Sequence, residues 1–182
     1  MADSPESVDV TDQNLKLIAL LGNFVIAWSI FDQAIDVGIM KHLGITSRQA
    51  AIVLSGLGFE RKVSILRALI NENSPPNKDA ISSISKIMET AKRNLLLHAS
   101  IWMGNDHLEF VKMDTHKTLT VRHENYNVKR FSETIDAITA NILQLQSQLQ
   151  ISDEELSSIA KIGKSLADKS ATSPSPPSTK KG

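Results

Sequence analysis

The sequence predicts a mainly α-helical fold, a bundle of four to five helices carrying a small β-hairpin. Three observations predict it. Apolar side chains recur at steps of three and four residues over most of the chain, as one face of a helix requires. The period drops to two between about residues 107 and 126. Gly- and Pro-containing breaks separate the periodic stretches. A chain of 182 residues corresponds to about one domain on length alone. Residues 1–10 read as a flexible start, 11–168 as the helical domain, and 169–182 as a tail.

The first helix begins after a Thr11-Asp12 cap and places Leu17, Leu21, Phe24, Trp28, Phe31, Ile35 and Ile39 on one stripe, stopping near Gly44. Gly22 and Gly38 weaken it by ~1 kcal/mol each relative to Ala. Thr46-Ser47 opens a second helical region, punctuated by Gly56 and Gly58. It resumes at Phe59 with Val63, Leu66 and Ile70 inward and Glu60, Arg61, Lys62 and Arg67 outward. After the Pro75-Pro76 break, a third helix is expected from about 78 to 102, with Ile81, Ile84, Ile87 and Met88 inside and Gly104-Asn105-Asp106 ending it. Alternation over 107–114 and 117–126 then predicts the hairpin. A fourth helix, from about 128 to 149, carries Phe131, Ile135, Ile138, Ile142, Leu145 and Leu149 on one face. A short fifth helix is capped by Ser152, with Glu155 three positions on. The Ser/Pro/Thr/Lys tail has too little apolar surface to offset its ordering entropy and is expected to be disordered.

Composition narrows the function. Lys plus Arg and Asp plus Glu each number 20, so no global charge draws the chain to nucleic acid or membrane, and polyanion binding needs a local patch. There is no cysteine, which removes disulfides, thiolate zinc sites and cysteine nucleophiles together. The polar, acidic start lacks the pattern of a secretory signal. The most apolar window, residues 17–31, spans 15 residues and includes Asn23, short of the ~20 that cross a bilayer. These features predict a buried helix in a cytoplasmic protein with no membrane partner.

One short constellation carries chemistry: Arg93-Asn94-Leu95-Leu96-Leu97-His98. RNA is cut without a metal when a base takes the 2′-hydroxyl proton as that oxygen attacks the adjacent phosphorus. A free imidazole titrates near ~6.5 and suits such a transfer. A guanidinium binds phosphate bidentately and stabilises the charge that builds in the transition state. Asn94 and His98 are four apart and share a helix face, so Asn94 is a candidate to orient the imidazole or bind phosphate. Arg93 and His98 lie about 140° apart on an ideal helix, so Arg93 must reach sideways or the helix must loosen for the two to meet.

The motif, with the long helices before it, the Pro75-Pro76 break and Trp102 after it, resembles the HEPN superfamily. In that family an Arg, often followed by Asn, precedes a His by four to six residues in a bundle of about four helices. The likeness covers about residues 12–150, and its specific part is the motif. It implies an endoribonuclease that needs no metal or cofactor, leaving a 2′,3′-cyclic phosphate. It also implies a homodimer in which two motifs face each other and supply both proton acceptor and donor. Roles in toxin–antitoxin, anti-phage or RNA-processing systems follow, with an antitoxin or regulatory protein as partner. The alternative is a non-catalytic bundle that binds RNA, a nucleotide or a protein. A third reading makes the first helix the seam of a dimeric scaffold.

Around the hairpin, Lys112, Lys117, Arg122, Lys129 and Arg130 are candidate RNA-backbone contacts, with ordinary solvated surface charge as the simpler account. His107, His116 and His123 match no standard metal-ligand spacing, so no metal site is expected. His42 reads as a helix C-terminal residue. Asp32 and Asp36 read as a polar helix face, Glu60-Arg61-Lys62 as another, and Trp28 and Trp102 as core anchors.

Overall fold

A computed structural model describes residues 12–92, 96, 99–114 and 120–171. The expected flexible start at 1–10, the Thr11 cap, the 115–119 connection and residues 172–182 of the expected 169–182 tail therefore lie outside the described residues, while 169–171 belong to the last helix. The protein is mainly α with a small β insertion. In chain order the elements are α1 (Asp12–Leu43), α2 (Ser47–Leu54), α3 (Phe59–Glu72), α4 (Lys78–Ala91), β1 (Ser100–Met103), β2 (His107–Asp114), β3 (Thr120–Asn127), α5 (Val128–Gln148) and α6 (Asp153–Ala171). They fall into two compact units, one of Met1–Phe31 with Asp79–Leu145 and one of Asp32–Lys78 with Gln146–Gly182.

The first unit is built on aromatic packing. Alternation along β2 and β3 turns Leu108, Phe110 and Tyr126 to one sheet face, and all three are buried. Phe131, on the first turn of α5, meets Tyr126 at 5.1 Å and Phe110 at 6.2 Å between ring centroids, and Phe24 of α1 joins it at 6.3 Å. Ile84 and Ile87 of α4 and Ile135, Ile138 and Ile142 of α5 are also buried, on the faces that their spacing predicts. Asn127 caps α5, its Oδ1 accepting from the Arg130 backbone N–H at 2.9 Å.

Two expectations fail here. The third helix does not run to 102: α4 ends at Ala91, and Lys92 takes a positive φ of 40°. That left-handed residue closes the helix in the manner of a C-terminal cap. Residues 100–103 then form a third strand, pairing antiparallel with β2 from Ser100↔Val111 to Met103↔Leu108. Helical and strand periods cannot be told apart over a run as short as Ser-Ile-Trp-Met. Trp102 consequently lies on an edge strand and is 65% exposed, rather than anchoring a core.

The second unit holds the C-terminal part of α1, with α2, α3 and α6. Phe59, Val63, Leu66 and Ile70 of α3 are buried as their spacing requires, together with Ile35, Val37, Ile39 and Met40 of α1. Gly38 serves close packing: a Cβ there would stand 3.0 Å and 3.1 Å from the Leu66 methyls and 3.2 Å from a Leu149 methyl. Thr46 and Gln49 form a capping box on α2. On α6, the Ser152 N–H donates to Glu155 at 2.9 Å and the Glu155 N–H to Ser152 Oγ at 3.3 Å. His42 at the end of α1 contacts the Gly38 carbonyl through Nδ1 at 2.7 Å, a local helix-end contact.

Candidate functional site

Arg93, Asn94 and His98 lie outside the described residues, as do Leu95 and Leu97. The residues around them are informative. Lys92 breaks α4 immediately before Arg93. The Leu96 N–H donates to the Lys92 carbonyl at 3.1 Å, one helical turn on, and the Leu96 side chain is buried at 2% exposure. Ser100 then starts β1. Lys92, Leu96 and the start of β1 are the described points nearest to these residues.

Lys92 is itself fixed by a charge cluster on β3. Its Nζ pairs with Glu124, which also accepts from Arg130 Nη2 at 2.8 Å. Arg130 donates through Nη1 to the Asn125 carbonyl, and its guanidinium lies 4.6 Å from the Tyr126 ring centroid. The Lys92 hydrogen bond holds the Glu124 carboxyl below its ordinary value against partial burial, and Arg130 adds to the effect. Burial, and then the Glu124 charge, push the Tyr126 phenol up. A carboxylate with a depressed folded pKa contributes stability above its unfolded value, near ~4.3, and that contribution is lost as pH falls through the lower folded value. Glu124→Gln is therefore expected to cost about 1 kcal/mol near pH 7, and thermal melts should show the difference from wild type closing below pH ~4.

The five basic candidates separate. Arg130 is committed to Glu124, Asn125 and Tyr126 and serves the fold. Lys129 is exposed, 4.0 Å from Glu133 one turn on, an arrangement of little energetic weight. Lys117 lies outside the described residues. Lys112 and Arg122 are direct cross-strand partners in the β2–β3 ladder. On the opposite sheet face, exposed Trp102 stands in register with Glu109, which pairs with His123. His107 Nδ1 lies 2.9 Å from Asp106. Among the described residues no three His, Asp or Glu side chains gather as metal ligands.

Sequence reasoning missed a buried ion cluster in the second unit. Lys62, expected outward, is 8% exposed. Its Nζ donates to Asp36 Oδ2 at 3.0 Å and Asp32 Oδ1 at 3.2 Å, so the supposed polar face of α1 is the counter-charge of a lysine on α3. Asp36 Oδ1 also lies 3.0 Å from Nζ, yet no donor is aligned with it. Burial raises the Asp36 carboxyl above its ordinary value despite the lysine. Burial alone would depress the Lys62 ammonium, but the two aspartates outweigh it and hold the pKa above the ordinary value. The i,i+4 spacing of Asp32 and Asp36 was the available signal; it lacked only the knowledge of which basic residue would face them.

α1 also departs from the expected buried helix. Leu17, Phe24, Ala27, Trp28 and Phe31 are buried, but Leu15, Ile18, Val25, Ile26 and Ile30 are exposed along another face, Ile26 by 60%. The helix has the length and composition to cross a membrane, and 33% of its most apolar stretch is buried. Such a helix is equally compatible with a soluble protein that keeps one face in its core.

The chain matches no family model, no curated protein and no solved structure.

Proposed function

We propose that this chain is a cytoplasmic, metal-independent endoribonuclease of the HEPN type that works as a homodimer and uses no cofactor. The observation that carries the reading is the pairing of a guanidinium and an imidazole in Arg93-Asn94-Leu95-Leu96-Leu97-His98. Lys92, just before the motif, has a positive φ, and Leu96 within it is buried. His98 moves the 2′-hydroxyl proton, Arg93 binds the phosphate and stabilises its developing charge, and Asn94 supports one of them. Toxin–antitoxin, anti-phage or RNA-processing roles, with a regulatory protein partner, accompany the proposal.

The test is incubation of the purified protein with single-stranded RNA in excess EDTA. Cleavage leaving 2′,3′-cyclic phosphate ends, identified by mass spectrometry, is the expected result. Intact RNA, or cleavage that only a divalent ion restores, contradicts it.

The exposed apolar face of α1 favours a second reading, a non-catalytic bundle whose business is binding a protein. Five large aliphatic side chains on one exposed helix face are what a partner helix covers. Under the first reading the same face is open to a second copy. The readings separate on whether His98→Ala changes RNA cleavage.

A further inference from the structure

We infer that the exposed face of α1 is a self-association seam, on which a second copy of this chain docks its own α1 antiparallel, crossing at Gly22. Within residues 12–31, at about 100° per residue, Leu15, Ile18, Ala19, Gly22, Val25, Ile26 and Ser29 lie within about 60° of one line along the helix, with Gly22 at its centre. All of them are exposed, and none carries a charge. The stripe belongs to the first compact unit alone. The opposite side of the helix is committed to that unit's core, where Leu17, Phe24 and Phe31 are fully buried. Gly22 has no packing role inside the chain. A glycine within a helix weakens it, yet a Cβ at Gly22 would meet nothing within 4 Å, whereas one at Gly38 would press on Leu66.

The chain's own ends do not supply a cover. The stripe runs about 21 Å from Leu15 to Ser29. Of the ends outside the described residues, 1–11 bring only Met1, Val8 and Val10 as large apolar side chains, and 172–182 bring none. A lipid surface is a poor match, because a helix lying on one carries Lys and Arg around its apolar face. Residues 12–31 hold only Asp12 and Lys16 as charges. A second copy fits. In a two-fold contact, residue i meets j and j meets i. The stripe is nearly a mirror of itself about Gly22, so an antiparallel partner crossing there brings Leu15 level with Ser29 of the partner subunit, Ile18 with Ile26 of the partner subunit, and Ala19 with Val25 of the partner subunit. Two of these three levels set a small side chain against a large one, which fills the space evenly, and the paired glycines let the backbones approach. A parallel partner would instead set each residue on its own copy, large on large and small on small, and would align the helix dipoles unfavourably. The stripe also carries no charge that would repel its own copy. The ribonuclease reading calls for a homodimer too, but this seam rests on α1 alone.

The experiment combines sedimentation velocity with thiol cross-linking of the full-length protein. Wild type is expected to sediment as a dimer at about 50 µM and to dissociate on dilution. Ile26 is 60% exposed in the single chain, so Ile26→Glu is expected to keep the far-UV spectrum. Burying that charge in the seam should weaken the dimer by about a hundredfold or more. The chain lacks cysteine, so introduced thiols report on the seam directly. Ile18 lies about 12 Å along the helix from Ile26, and in the antiparallel seam equally far from its own copy, beyond the ~7 Å that a disulfide tolerates. Oxidised Ile18→Cys/Ile26→Cys protein is therefore expected to form covalent dimers, and each single variant is not. A wild-type protein that stays monomeric at this concentration overturns the proposal, whether or not it sediments with vesicles of phosphatidylcholine and phosphatidylserine. So does a double variant that gives no covalent dimer, or single variants that cross-link as well as it does, which marks a parallel seam. An Ile26→Glu protein that folds and stays dimeric also overturns it; should that variant not fold, the cross-linking decides alone. A covalent antiparallel dimer that leaves RNA intact refutes the ribonuclease reading and keeps the seam, while a strict monomer that cuts RNA refutes the seam and leaves the chemistry standing.

Discussion

His98→Ala is expected to lower the rate of RNA cleavage by ~10²–10⁴-fold, the usual contribution of a positioned acid–base group. Arg93→Ala is expected to cost ~10²–10³-fold, the range for removing one donor to a developing oxyanion. Single-turnover cleavage in EDTA measures both, and far-UV circular dichroism should overlay wild type in each case. Loss through unfolding would instead flatten the spectrum. The two residues differ in how replacement acts. Arg93→Lys keeps the charge but loses the planar fork, so it is expected to recover only part of the rate. His98→Gln keeps a hydrogen-bonding group without a titrating one and should stay as inactive as His98→Ala.

The second large effect belongs to Lys62. Removing one partner of a buried ion pair leaves the other charge desolvated, and Lys62→Ala is expected to cost about 3 kcal/mol at pH 7, read by urea unfolding. The sign of its pH dependence follows from the cluster. In wild type the Lys62 ammonium has a raised folded pKa, so its contribution is present at neutral pH and is lost only as pH rises through that value. The Asp36 carboxyl is already raised by burial. Without Lys62 it should rise further, so that the folded variant binds a proton before the unfolded chain does. Stability of Lys62→Ala should therefore recover as pH falls from 7 towards 4, narrowing the gap to wild type. Adding Asp36→Leu to Lys62→Met, which removes the two more buried charges, keeps the volume apolar and leaves the more exposed Asp32 to solvent, is expected to restore most of the loss at pH 7. A Lys62→Ala protein as stable as wild type at pH 7 would mean that the cluster is solvated and carries no weight.

Much of the fold was legible because burial follows periodicity. The α5 stripe, the Val63–Leu66–Ile70 face of α3 and the Ser152–Glu155 cap are where three- and four-residue spacing and capping chemistry put them. The β hairpin was legible from its two-residue alternation. What failed was set by tertiary partners. Lys62 looks like surface charge until Asp32 and Asp36 face it. Ile101, Trp102 and Met103 look like the end of a helix until β2 offers them a ladder. The stop at Lys92 carries no glycine or proline to announce it. The candidate site was legible only as residue types and spacing; its anchors at Lys92, Glu124 and Leu96 depend on contacts made over long sequence distance or on local backbone geometry.

The central claim is that Arg93 and His98 act on one phosphodiester, and a double-mutant cycle addresses it most directly. Groups that serve one transition state are strongly non-additive, so the Arg93→Ala/His98→Ala protein should cleave RNA no more slowly than the worse single variant. Losses that multiply, each residue costing as much in the other's absence as in its presence, would contradict a shared site.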